Sequence, residues 1–283
     1  MTSTTNYWDN IERVKNFMNT ADAVLVGIGA GMSTAAGFTY SGERFHKYFD
    51  DFYKKYGITD MYSGGFYSFE SMEEYWAWWS RHIYYNRYDT PAGVPYVQLM
   101  NLLQDKNYFV ITTNVDHQMQ LAGVDKNRLY YMQGDYGLWQ CSEPCHQKTY
   151  DNEEQVRRMV NEQTDMKIPT ALIPHCPRCG ELMTMNLRID GTFVQDEGWY
   201  AAQNRYADFI ERYKDKKLIM LEIGVGYNTP MIIKYPFMRM AHDNIDALYV
   251  PINIEDQPLP FEIHKNTVSF NNDIQKVMND LLS

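Results

Sequence analysis

The strongest constraint on how this chain folds lies in its cysteines, which number four and stand in two close pairs, Cys141/Cys145 and Cys176/Cys179. No cysteine falls outside the pairs, so four unrelated buried thiols is the poorer reading of the pattern. Pairs at C-x3-C and C-x2-C spacing can close a tetrahedral thiolate cage around one zinc ion, and four protein ligands leave no open position for water. A metal held that way is structural, with His146 and His175 as neighbours and not ligands. The segment carrying the cysteines, Gln140 to Asp190, has too few apolar residues for a core of its own, and a zinc ion is the simplest staple for such a module. Its middle, Asp151 to Asp165, reads as a charged, exposed helix or loop.

The rest of the chain carries the apolar residues. At 283 residues and 45% hydrophobic, it can build one sizeable domain with an insertion or two modest ones. Ile11, Val14, Phe17 and Met18 recur at helical spacing and predict a first helix over Trp8 to Met18. Four apolar runs, Ala23 to Ile28, Tyr108 to Thr112, Leu218 to Ile223 and Ala247 to Asn253, read as strands buried on both faces of a parallel sheet. Helical stretches at Tyr96 to Leu103, Tyr200 to Tyr213 and Met231 to Ala241 alternate with them, as βαβ units require. Arg128 to Gln133 and Thr267 to Phe270 are weaker strand candidates. The core is thus an open, doubly wound α/β sheet. Two stretches break the alternation: the cysteine module, and Tyr40 to Arg87, which is crowded with Phe, Tyr and Trp and reads as a helical insertion. The expected division is 1–39 plus 88–139 plus 199–283 for the nucleotide-binding domain, 40–87 for the insertion and 140–198 for the metal module.

The sheet's strand ends carry the chemistry. Gly29-Ala30-Gly31-Met32-Ser33 follows the first strand and puts small residues where backbone can approach a diphosphate at a helix N-terminus; a glycine-rich turn that binds nothing would look the same. No acidic residue sits at the expected end of a second strand about 20 residues on, as an ordinary Rossmann dehydrogenase would require, so hydride transfer is disfavoured. Thr112-Thr113-Asn114-Val115-Asp116 follows the second strand, where Asn114 and Asp116 either reach a sugar or an amide or merely cap the next helix. Gln133-Gly134, Gly224-Val225-Gly226 and Asn253-x-Glu255 end three more. Each alone is more often a turn than a site; together they point to one crevice.

A formal net charge of −10 gives nucleic acid no electrostatic footprint to bind. The N-terminal residues show no apolar leader, and no run approaches the ~18 apolar residues of a membrane span. These features read as cytoplasmic, with the cysteines reduced.

In their order, GAGMS with STAAG, TTNVD, a residue-Gly pair at a strand end, two cysteine pairs and INIE resemble the sirtuin (Sir2-like) family of NAD-consuming enzymes, over about Val24 to Glu255. The resemblance implies a large Rossmann-like domain, a small zinc-ribbon domain, and NAD between them. It implies NAD contacts from Gly29, Ala30, Gly31, Ser33, Gly37, Tyr40, Arg44, Asn114, Asp116, Gln133, Gly224, Gly226, Asn253 and Glu255, catalytic roles for Asn114, Gln133 and Asp116, and zinc on Cys141, Cys145, Cys176 and Cys179.

The departures are informative. The family's GIPDFRG is here Gly37-Phe38-Thr39-Tyr40-Ser41-Gly42-Glu43-Arg44-Phe45, with Arg44 as a stand-in two positions late. Its Gln-Asn-Ile-Asp is Thr113-Asn114-Val115-Asp116. Its His-Gly, the general base of deacylation, is Gln133-Gly134, and a neutral amide can orient a hydroxyl without taking its proton. These losses resemble class M, the macrodomain-linked sirtuins of bacteria. That likeness implies a protein ADP-ribosyltransferase, a lipoyl-bearing glycine-cleavage H-like carrier protein as acceptor, and a macrodomain hydrolase as functional partner. Three rivals stay open: a deacylase using His117 or His82 as base, an NAD glycohydrolase, and a sensor that binds NAD or ADP-ribose without turnover.

Overall fold

The computed structural model describes residues 4–283; the first three residues of the expected 1–39 segment lie outside them. The chain opens with α1 (Thr4–Thr20), β1 (Ala23–Ile28) and α2 (Ala30–Ala35). The insertion follows as α3 (Glu43–Tyr56), α4 (Met61–Gly64) and α5 (Met72–Ile83), then a π-turn at Tyr84–Tyr88. Next come α6 (Val94–Leu102), β2 (Tyr108–Thr112), α7 (Gln118–Leu121) and β3 (Leu129–Tyr131). The cysteine module holds β4 (Gly134–Cys141), β5 (Tyr150–Asp151), α8 (Glu153–Glu162) and β6 (Met183–Leu187). The chain closes with α9 (Glu197–Tyr213), β7 (Leu218–Ile223), α10 (Lys234–Asp243), β8 (Leu248–Asn253), β9 (Phe270–Asn271) and α11 (Ile274–Leu282).

Six strands form one sheet in the order β3-β2-β1-β7-β8-β9, and every pairing is parallel. Every residue of β1 and β7 is buried, which explains why they read as continuous apolar runs without alternation. Val24, Val26 and Ile28 face α1, α6 and α11; Ala23 and Leu25 face α9 and α10. From β1 the chain builds outward to β2 and β3, and later returns on the other side to β7. The order therefore reverses at β1, and the carboxyl ends of β1, β2, β7 and β8 open there into a crevice.

A second sheet, β5-β4-β6, is antiparallel. It begins at Gly134, so the expected boundary at 139/140 cuts through β4. The expected separation of 40–87 from 140–198 also gives way, because the two segments share one core. Phe45, Phe49, Phe52, Trp76 and Trp78 of the insertion pack with Trp139, Cys141, Met183 and Met185 of the sheet, and Trp76 meets Trp139 edge-on at 5.0 Å between centroids. The segment expected to be exposed, Asp151 to Asp165, contains α8, whose Val156 and Met159 are buried in that core. Charge on one helical face masked the apolar pair on the other. The insertion supplies the hydrophobic mass that the cysteine module lacks.

Among the described residues no helix is long and apolar enough to cross a membrane.

Candidate active site

The strand-end turns enclose a cleft of about 800 Å³. Gly29, Ala30, Gly31 and Ser33 line it beside Gly224, Gly226, Asn253 and Glu255; Tyr40, Asn114, Asp116 and Gln133 line its other part. Two expected contacts are absent from its walls. Gly37 adopts φ +86 in the turn after α2 and serves chain reversal. Arg44 donates to Thr39 O (3.0 Å), Asn86 Oδ1 (2.8 Å) and Tyr85 O (2.7 Å), which turns its guanidinium into the insertion and away from the cleft.

Two of these glycines also have a task within the fold. A Cβ on Gly31 would lie 2.7 Å from Gly224 Cα, and one on Gly224, at φ +64, would lie 2.4 Å from Met32 N. Gly31 N donates to Gly224 O at 2.9 Å. The two turns touch backbone to backbone, and the space a ligand needs is held open by that contact. Gly224→Ala combines a backbone clash with a left-handed φ, and should cost at least about 3 kcal/mol of stability. A urea unfolding midpoint unchanged from wild type would show that the turns can part freely.

Asn114, Ser33, Tyr96 and Asp116 form a closed network. Ser33 Oγ donates to Asp116 Oδ2 at 2.5 Å, which leaves Tyr96 OH to donate to Ser33 Oγ at 2.7 Å. The two N–H bonds of the Asn114 amide are shared among Gly29 O (2.9 Å), Ser33 Oγ (3.0 Å) and Tyr96 OH (2.9 Å). With its nitrogen committed to the wall, the amide oxygen of Asn114 is the free end, fixed in orientation. Asp116 also accepts from Gln118 N at 3.2 Å. Burial pushes its carboxyl up, against the Ser33 and Gln118 hydrogen bonds, with the Asp135 charge adding to the rise. Tyr96 had no sequence signal: it sits inside a helix 18 residues before Asn114, and only the fold joins them.

Gln133 sits where the two sheets meet. Its carbonyl accepts from Arg188 N at 3.0 Å, and the residue lines both the cleft and a smaller, largely apolar side pocket of about 200 Å³. Gly134, next to it, has φ +96, and a Cβ there would stand 1.9 Å from Asn186 O. Only glycine lets β4 start so close to β6. Between the cleft and the side pocket stand Tyr40 and Tyr136, their hydroxyls 2.7 Å apart, with Tyr136 OH 2.9 Å from His82 Nε2. Burial drives the Tyr40 phenol up to about 12 and Tyr136 well above the usual tyrosine range, so both stay protonated.

Neither histidine considered as a base is equipped for it. Burial, helped by the Arg44 charge, lowers His82 to about 3, so it is neutral and weakly basic. His117 lines neither cavity; its Nδ1 is bonded to the buried Asp135, which also accepts from Arg87 Nε at 3.0 Å and Gly137 N at 2.7 Å.

The four cysteine sulfurs lie within 4.8 Å of one another, with Cys141 to Cys179 at 3.6 Å and Cys145 to Cys176 at 3.7 Å. A tetrahedral site with Zn–S near 2.3 Å has sulfurs about 3.8 Å apart, so the cluster could hold such an ion. Although burial opposes it, the backbone N–H groups of Cys179 and Arg178 bring Cys176 down to about 6, while burial and the neighbouring thiols push Cys145 up to about 12. A divalent cation would relieve that conflict by ionising all four.

An open parallel sheet with its crevice at the reversal point, flanked by a small sheet whose end carries four converged thiols, defines a nucleotide-binding α/β scaffold with a small lobe equipped to hold a metal ion. The Sir2 family profile matches residues 29–210, and the chain belongs to that family, whose enzymes use NAD. A "Protein ADP-ribosyltransferase" of Staphylococcus aureus (strain Mu50 / ATCC 700699) is 40% identical over 272 residues, 96% of this chain and 86% of that protein. A "Probable bifunctional ADP-ribose hydrolase/ADP-ribosyltransferase" of Fusarium oxysporum f. sp. cubense is 30% identical over 243 residues, 80% of this chain and 39% of that one. Among solved structures, Sir2Tm bound to a propionylated peptide superposes with a TM-score of 0.61 at 18% identity, covering 96% of this chain and 97% of that one. A Sir2–p53 peptide–NAD+ structure gives 0.58 at 18% identity, with the same coverage. At that identity the likeness is one of fold.

Proposed function

We propose that this chain transfers ADP-ribose from NAD to a protein side chain. The bond between the nicotinamide nitrogen and the ribose anomeric carbon breaks with its electron pair leaving on nicotinamide; the acceptor's nucleophile bonds to that carbon and releases its proton to solvent. The observation that carries the reading is the junction at Gln133. Gln133, a residue with a neutral amide, lines both cavities there, and no histidine lines the cleft. Such a site can orient and polarise without removing a proton, which suits an acceptor that is already nucleophilic and does not suit deacylation.

Asn114 would face the ribose with its free amide oxygen, where positive charge develops as nicotinamide departs. Asp116 would hold the nicotinamide amide, and the Gly29 to Ser33 turn the diphosphate, with Gly224, Gly226, Asn253 and Glu255 toward the adenosine. Zinc on the four cysteines is structural, since no coordination position stays open. The acceptor we assign is a lipoyl-bearing glycine-cleavage H-like carrier protein, and the reversing enzyme a macrodomain hydrolase. The likeness to class M supports both, and the Fusarium relative is named for a hydrolase and a transferase together.

The test is intact mass of lipoylated and unlipoylated carrier protein incubated with NAD and wild type, Gln133→Ala or Gln133→His. Wild type should add one ADP-ribose and leave acetyl-lysine peptides unchanged. Gln133→Ala should transfer about 10²-fold more slowly. Gln133→His should gain little deacylation, because catalytic groups that act as a unit do not add singly. Vigorous wild-type deacylation would overturn the reading.

A further inference from the structure

Asp135 lines neither cavity, yet three parts of the molecule meet on it. It stands at the start of β4, two residues after Gln133, and is buried. Its carboxylate accepts from His117 Nδ1, the residue directly after Asp116. It also accepts from Arg87 Nε at 3.0 Å, on the π-turn that ends the insertion, and from Gly137 N at 2.7 Å, on its own strand. Although burial opposes it, the hydrogen bond from His117, helped by the Arg87 charge, brings this carboxyl down. An ionised carboxylate only accepts, so His117 carries a proton on Nδ1. The same strand meets the same loop once more, where Tyr136 N donates to Val115 O at 2.9 Å.

His117 is held in an uncommon backbone conformation. At φ +65 and ψ +13 it is left-handed, a region that a residue with a Cβ occupies only at a cost in free energy. That conformation bears on the cleft because His117 lies inside the turn closed by Gln118 N, which donates to Asp116 Oδ1 at 3.2 Å. Relaxation of His117 to a negative φ would rotate the peptide leading to Gln118, open the turn and take that partner from the Asp116 carboxyl. The imidazole's bond to Asp135 opposes the relaxation, since breaking it would remove a donor from a carboxylate closed off from water.

We propose that His117 and Asp135 are positioning residues: their bond pins His117 in its left-handed form and thereby fixes the Asp116 carboxyl relative to Gln133. Neither residue lines the cleft. The pair sets the spacing between Asp116, on the loop after β2, and Gln133, at the start of the small sheet, and Arg87 ties that spacing to the insertion. This rests on the reading that Asp116 holds the nicotinamide amide, and it is tested by binding, apart from turnover.

The probes are carba-NAD, in which a methylene replaces the ring oxygen of the nicotinamide ribose so that the glycosidic bond stays intact, and ADP-ribose, which lacks nicotinamide. Both are titrated calorimetrically into wild type, His117→Gly, His117→Asn and Asp116→Ala. Glycine takes up the left-handed φ freely but removes the donor; asparagine tolerates that φ and places an amide N–H where Nδ1 stood. His117→Gly should bind carba-NAD about tenfold more weakly than wild type and ADP-ribose within about twofold of it, and His117→Asn should hold both within about threefold. A purely structural role would lower both affinities in His117→Gly alike, or neither, and either pattern would overturn the proposal. An asparagine variant as weak as the glycine one would overturn it too, because the donor would then not be what holds Asp116. Asp116→Ala separates the two failures. Selective loss of carba-NAD there but not in His117→Gly sinks the positioning role alone, whereas no selective loss in Asp116→Ala sinks the assignment of Asp116 and the proposal with it.

Discussion

Asn114→Ala should slow nicotinamide release and ADP-ribosyl transfer together, each by about 10²-fold or more, with NAD still bound within a few-fold of wild type. The expectation rests on what the amide does in the structure. Its nitrogen is tied to Gly29 O, Ser33 Oγ and Tyr96 OH, so the oxygen is delivered to the cleft at no entropic cost during reaction, as preorganised groups must be. Alanine removes the oxygen and also unties Ser33 and Tyr96. Asn114→Asp separates the two effects: it keeps an oxygen of similar reach but cannot donate to the Gly29 carbonyl, and it sets a second carboxylate near Asp116. It should therefore be as slow as alanine. Single-turnover nicotinamide release checks both; an aspartate variant near wild-type rate would mean that the network is dispensable and only the oxygen matters.

The parallel sheet was legible because strands buried on both faces run almost wholly in apolar residues, and β1, β2, β7 and β8 do so, with the buried Glu222 of β7 the one charged residue among them. The strand-end residues were legible for the same reason: once a strand's end is known, so is the side of the sheet that Asn114, Gln133 or Asn253 meets. What stayed hidden depends on contacts between segments far apart in the chain. Tyr136 and His82 meet across 54 positions, and each looks like ordinary core until the insertion folds over β4. Arg44 stood close to the register of a ligand-binding arginine, yet Asn86 and Tyr85, some 40 positions on, claim it. Gly31 suited a diphosphate turn equally well; that its closest neighbour is the backbone of Gly224 could not be read from either glycine's surroundings. The metal module's lack of apolar residues was visible, but its remedy, a shared core with the aromatic insertion, required knowing which face of α8 was buried.

That shared core makes metal removal the second large effect. Stripping the metal should loosen the small sheet and the aromatic insertion as one unit while the six-stranded sheet persists. Structural zinc in isolated fingers supplies apparent binding free energies of roughly 10–16 kcal/mol near neutral pH, and here the clasp closes the end of β4 at Cys141 and its partner β6 at Met183. With four thiols released, Cys141 loses its place in the core beside Trp139, Met183 and Met185, and Trp76 loses its edge-on neighbour Trp139. Near-ultraviolet dichroism from the insertion's tryptophans should therefore collapse with chelation, although no tryptophan is a ligand. The consequence reaches the cleft along the same strand: β4 begins at Gly134, so Gln133 and Tyr136 lose their fixed positions, and transfer should be abolished even though the Gly31–Gly224 contact lies in the other core. Chelated protein with four titratable thiols, an intact tryptophan signal and undiminished transfer would show that the aromatic core holds the small sheet without its clasp.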